Sequence, residues 1–142
     1  PDDSAVADPL FDLVKSGKKT SHQVLGARGY LEWVRADKKL SDNDRLAKVN
    51  ELLPLMKLAE EKRLAITVLG ALPIPGSLEL LTTLASDPPI AEEACSAIVS
   101  LAGKNLPGVA KEQRRKALET ALAASKNDAT RKKAQDALNS IR

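Results

Sequence analysis

The sequence predicts an all-α fold of about four antiparallel helix pairs, stacked as an α–α superhelix. Three observations carry that expectation. First, a stripe of small and aliphatic residues recurs along the chain. Leu64, Ala65, Val68, Leu69 and Leu72 fall at i, i+1, i+4, i+5 and i+8, one face of a 3.6-residue helix. Ala94, Cys95, Ile98, Val99 and Ala102 repeat that spacing, and shorter versions stand at Val24, Ala27, Arg28 and Leu31 and at Ala134, Ala137, Leu138 and Ile141. Second, with Val24, Ala65, Cys95 and Ala134 taken as equivalent, the spacings are 41, 30 and 39 residues. Such periods suit two-helix repeats, in which one pair cannot bury its apolar faces alone and stacks on its neighbours. Third, hydrophobic residues make up 43% of the chain but aromatics only 2%. A core of Leu, Ala, Val and Ile suits closely stacked helices, and buried alanines let helix axes approach toward the low end of ~8–10 Å. No strand-like alternation is present.

A chain of 142 residues is one domain by length and can bury a core. No apolar run approaches the roughly 20 residues that span a bilayer, so no membrane partner is expected. No signal peptide is read, and a start at Pro1 leads to the expectation of a processed form or an excised fragment. The single cysteine excludes an internal disulfide. Cys95 lies on an apolar stripe and reads as a small buried hydrophobe. A reactive thiol would need an exposed, electropositive setting, and Glu92 and Glu93 argue against one. Net charge is +3 but unevenly spread: residues 1–103 hold 12 basic and 15 acidic side chains, and residues 104–142 hold 10 and 4.

In chain order, residues 1–7 (PDDSAVA) read as a disordered linker remnant, with the domain over 8–142. Asp8 can cap a helix and Pro9 fits its first turn, which predicts a helix over 8–15 with Leu10, Phe11 and Val14 inward and Gly17 as its end. Thr20 and Gln23 can form a capping box for a helix over 21–36, whose apolar face is Val24, Ala27, Leu31 and Val34. Gly26 and Gly29 each weaken it by about 1 kcal/mol relative to Ala and permit close helix approach. Trp33 reads as the lid of this first pair, or alternatively as a stacking platform. Ser41 and Asp44 suit the next N-terminus, followed by Leu46, Val49, Leu53 and Met56. Pro54 lies inside that pattern, where it kinks the helix or divides it in two near Leu53. A fourth helix closes at PIPG, a fifth spans 77–85, and Asp87-Pro88-Pro89 turns the chain into a sixth over 90–104. The seventh carries Ala110, Ala117, Leu118, Ala121 and Leu122 on one stripe, and Asn127 caps the eighth. The pairs are thus 8–36, 42–72, 77–104 and 107–142.

The segment 77–102 (SLELLTTLASDPPIAEEACSAIVSLA) has an apolar first helix, a turn with Asp87-Pro88 and a second helix of small apolar residues. This plan resembles the HEAT-like repeat family of armadillo-type superhelices. Residues 127–141 resemble the family's second helix, with Arg131 near the expected basic position, whereas Glu93 stands where the usual arginine would be. The resemblance covers most of the chain. It implies a right-handed superhelix in which a kinked first helix at Pro54 is at home. It also implies a scaffold or partner-binding role, with nucleic-acid binding in one branch. That branch uses an aromatic and acidic pocket to remove damaged bases, and Trp33 and Tyr30 are remote in sequence from the basic residues here. The chain further resembles HEAT-like segments appended to large secreted proteins of planctomycete-type bacteria, which implies a secreted or periplasmic location.

No catalytic, cofactor or metal site is read, and no enzyme is expected. His22 is the only histidine, so a triad or multi-histidine metal site would have to be built around it alone. Glu60, Glu61, Glu92 and Glu93 occupy first turns, where they complement the helix dipole by about 0.3–1 kcal/mol each. The basic residues Lys111, Arg114, Arg115, Lys116, Arg131, Lys132 and Lys133 read as the solvated face of a terminal capping pair, or as a phosphate-binding surface. The expected function is a non-catalytic protein-interaction or structural spacer module within a larger multidomain protein. Its expected partner is a protein or a neighbouring domain of the same chain, and the alternative is nucleic acid on the basic C-terminal pair. Helical phase exposes Arg28, Glu32, Lys62, Thr67, Glu92, Ser96, Arg131 and Gln135 on the second helices as the candidate interaction surface.

Overall fold

A computed structural model describes residues 4–16 and 20–141, with side chains at all of these except 4–6, 13, 16 and 20–24. Regular structure among the described residues is entirely helical: eight α-helices, two short 3-10 turns and no strand. The fold is therefore all-α. The chain gathers into two compact units, Pro1–Val68 and Leu69–Arg142. The Thr20–Gln23 capping box, Gly17 as a terminator and the side chains of His22 and Val24 lie outside the described residues.

In the first unit, α1 (Ser4–Ser16) packs along α2 (Thr20–Ala36). The helix starts one turn earlier than Asp8-Pro9 predicted and carries Pro9 inside it. Pro9 forfeits one backbone bond there, while the added turn buries Ala7 at 3% exposure. Phe11, Tyr30 and Trp33 form a ladder with ring centroids 5.2 and 5.7 Å apart. These are the only aromatic side chains of the chain, so one small cluster holds them all, with Lys15 over Phe11 and Lys48 over Trp33, each 5.1 Å from the ring centroid. Burial, with Glu51 and Asp8 adding, pushes the Tyr30 phenol up to about 12. Gly29 lets α1 approach closely: a Cβ there would meet Leu10 at 2.9 Å.

Ser41 caps α3 (Asp42–Leu52) in a complete capping box. Asp44 donates its N–H to Ser41 Oγ at 3.0 Å, and Ser41 donates its N–H to Asp44 Oδ2 at 3.1 Å. The Ser41 N–H first, then the Ser41 hydroxyl, hold the Asp44 carboxyl below its usual range. At Pro54 the chain takes the second of the two predicted courses: α3 ends at Leu52 and a 3-10 turn, Leu53–Leu55, follows. α4 (Ala59–Gly70) opens with Glu60 and Glu61 in its first turn. Glu61 does more than complement the dipole. It is 1% exposed, and its Oε1 accepts the Leu58 N–H at 3.2 Å, closing the start of the helix. Of the predicted stripe, Ala65 and Val68 are buried in this unit and Leu69 and Leu72 at the start of the second, while Leu64 is half-exposed, its place taken by Ile66.

In the second unit, α5 (Pro75–Leu84) begins two residues before the predicted start, with Pro75 in the first turn, where its missing N–H is not needed. Asp87 leads into a 3-10 turn, Pro88–Ile90, that buries Ile90 ahead of α6 (Ala91–Ala102). α6 buries Ala94, Cys95, Ile98, Leu101 and Ala102. Val99, predicted inward, is half-exposed, and Leu101 fills the core position instead. Burial of Cys95, with Glu92 adding, pushes its thiol up to about 11, so it stays protonated at neutral pH. α7 (Lys111–Ala124) buries Ala117, Leu118 and Ala121, while Ala110 is exposed as the cap residue. Asn127 caps α8 (Asp128–Ser140) as predicted, its side chain accepting the Thr130 N–H at 2.9 Å. Within this unit α6 packs on α5, α7 and α8, and α5 also meets α7. Within this unit α5 thus lies beside α7, and α6 beside α8.

Candidate interaction surface

Three consecutive-helix junctions, α2–α3, α6–α7 and α7–α8, share one kind of joint. A helix C-terminus leaves its last carbonyls unsatisfied, and here an arginine four residues past the next helix's cap reaches back to them. Arg45, four past Ser41, donates from Nε to the Val34 carbonyl at 3.0 Å and from Nη2 to the Asp37 carbonyl at 2.9 Å. Arg114, four past Ala110, donates from Nε to the Ala102 carbonyl at 3.0 Å and is 8% exposed. Arg131, four past Asn127, donates to the carbonyls of Leu122 and, at 3.4 Å, Ser125. Guanidinium suits this task because it stays charged and offers several donors in a fixed plane.

In the first unit, the predicted surface residues Arg28, Glu32 and Thr67 are exposed and Lys62 is half-exposed. Arg28 lies 3.6 Å from the Glu60 carboxylate, an ion pair that joins α2 to α4. Glu32 pairs with Arg35 of its own helix at 2.7 Å. Thr67 Oγ1 donates to the Arg63 carbonyl, a bond internal to α4. Pairs this exposed contribute about 0–1 kcal/mol.

In the second unit, Glu92, Ser96, Arg131 and Gln135 are all exposed, but they divide by role. Glu92 is a clasp. Its Oε2 accepts from Ser125 Oγ at 2.8 Å and its Oε1 from the Lys126 N–H at 2.6 Å, which ties the α7–α8 connector to α6. Ser125 is 2% exposed, and its Oγ also accepts the Asn127 N–H at 3.1 Å. Arg131 is held on the same connector from the other side. Ser96 and Gln135 remain as surface, with Gln135 donating to Asn139 Oδ1 at 3.1 Å.

The Lys126 N–H, then the Ser125 hydroxyl, hold the Glu92 carboxyl below its ordinary value of 4.5. A depressed carboxylate contributes stability that is complete above the unfolded value and is lost as pH falls through the lower folded value. Glu92→Gln is therefore expected to lower stability at pH 7. Urea denaturation across pH 7 to 3 should show the gap to wild type narrowing below about 4.5 and closing once Glu92 is protonated.

Between α6 and α8 lies a groove of about 400 Å³. α6 and the residues just after it give Val99, Ser100, Gly103 and Lys104, and α8 gives Lys133, Asp136, Ala137 and Ser140. A second groove of about 280 Å³ lies between α5 and α7, with Glu79 and Lys116 among its lining. The sequence did not single out the first groove. Its only local signal is Ser100 with Gly103 at the end of α6, and bringing Lys104 to Lys133 needs the packing of α6 on α8.

The basic cluster is divided by the fold. Arg114 is buried against the Ala102 carbonyl, so it belongs neither to a solvated face nor to a phosphate-binding one. Arg131 serves the α7–α8 connector and Arg115 pairs with Glu112. Lys116, Lys132 and Lys133 are exposed. No helix among the described residues is long and apolar enough to cross a membrane. Comparison of the chain with protein-family models, with curated proteins and with solved structures finds no match.

Proposed function

We propose that the chain is a non-catalytic protein-interaction or spacer module of HEAT-like design, part of a larger protein, whose second helices present the binding surface. The observation that carries this proposal is the pairing in the second unit, first helix beside first helix and second beside second, with the α6–α8 groove left open. The recurring arginine joint at Arg45, Arg114 and Arg131 supports a chain built by repetition of one helix-to-helix step. Fixed joints favour recognition, since a preformed surface loses little order on binding. The nucleic-acid alternative is weakened by the withdrawal of Arg114 and Arg131 into backbone contacts. Affinity capture with this chain as bait, washed at low and high salt, tests the proposal. A defined protein retained at high salt is the expected result. Nucleic acid retained only at low salt would replace it with the alternative.

A further inference from the structure

The second unit carries its charge in blocks. Residues 64–103 contain no Lys, Arg or His, whereas residues 104–142 contain ten basic side chains. The arginines Arg114, Arg115 and Arg131 are engaged by backbone carbonyls or by Glu112. Lys104 and Lys133, 29 positions apart in sequence, are exposed and make no ion pair among the described residues. Both line the α6–α8 groove.

We propose that this groove binds an extended acidic peptide segment of a partner protein, with a side-chain carboxylate held by Lys104 and Lys133. The proposal deepens the interaction-module reading and rests on it. Three features select a peptide over other anions. The floor of Val99, Gly103 and Ala137 is apolar and shallow, which admits a main chain with small side chains. Asp136 and the Ser100 hydroxyl can accept peptide N–H bonds, and the partial negative charge at the C-terminal ends of α6 and α8 favours the same donors. A phosphodiester chain offers no such donors to Asp136 and Ser100. The volume of about 400 Å³ falls within the ~300–1,000 Å³ of ligand clefts. The Glu92 clasp and the Arg131 contacts fix the α7–α8 connector, so the groove is formed before any partner arrives.

Fluorescence anisotropy with a labelled hexapeptide alternating glutamate and alanine tests the site, alongside its glutamine analogue and a thymidine dodecamer. The expected result is saturable binding of the acidic peptide, weakened at least tenfold by the glutamine analogue and by Lys104→Glu with Lys133→Glu. Lys116→Glu, in the separate α5–α7 groove, is expected to change affinity less than twofold. Far-UV circular dichroism establishes that each variant is folded. No saturable binding, equal loss in Lys116→Glu, or tighter binding of the dodecamer overturns the proposal. A protein captured from lysate whose retention ignores Lys104→Glu with Lys133→Glu would leave the module reading standing and overturn this site alone. Failure of capture and of peptide binding together would overturn both.

Discussion

Leu69→Asp is expected to abolish cooperative folding of the second unit. Leu69 is fully buried in the last turn of α4, among the largest enclosed side chains of the described residues. Emptying such a site costs about 2–5 kcal/mol. An isolated carboxylate placed there costs several more unless it takes up a proton. Together these approach the roughly 5–15 kcal/mol that holds a domain folded. Ser96→Ala, on the exposed face of α6, is the matched control and should stay within about ±0.5 kcal/mol. Urea unfolding followed by far-UV circular dichroism separates the two. Equal tolerance of both changes would mean that the helical phase assigned to the chain is wrong.

Arg114→Met is the second change with a large expected effect. Methionine keeps much of the aliphatic stem but removes the donor that satisfies the Ala102 carbonyl at the end of α6. Hydrogen bonds from charged donors contribute about 1.5–3 kcal/mol, and the carbonyl left behind loses its partner in a site only 8% exposed. A loss of about 2–3 kcal/mol follows, read as a lower urea midpoint with an unchanged slope. Arg114→Lys should recover less than half of it, because an ammonium cannot reproduce the Nε position of the guanidinium plane. Arg131→Met, at an exposed joint, should cost clearly less. If Arg114→Met matches wild type, the joint is not what holds α6 to α7.

What the sequence made legible is what is local. Ser41 with Asp44, and Asn127, lie within three residues of the N–H groups they satisfy, so their capping is readable from spacing alone. The apolar stripes of α4 and α6 were readable for the same reason, though a period of 3.6 does not say which edge of the stripe is covered. Val99 and Leu101 differ on that point: Val99 is half-exposed at the edge of the α6–α8 groove and Leu101 is buried. The arginine joints and the Glu92 clasp were not readable. Their partners are mostly main-chain groups 6 to 34 residues away, and a carbonyl carries no signature in the sequence. Arg114 therefore looked like one more surface cation, and Glu92 and Arg131 like free surface. Lys104 and Lys133 became neighbours across one groove only through the fold.

The most direct measurement is site-specific photo-crosslinking in lysate, with a benzoylphenylalanine placed at Ser96 or Gln135 on the second helices, and at Thr83 or Glu119 on the first helices as comparison. All four positions are exposed or stand on exposed helix faces, so the variants should fold alike. If the second helices present the binding surface, one protein should crosslink from Ser96 and Gln135 and not from Thr83 and Glu119. The same adduct from all four positions, or from Thr83 and Glu119 alone, would contradict that assignment.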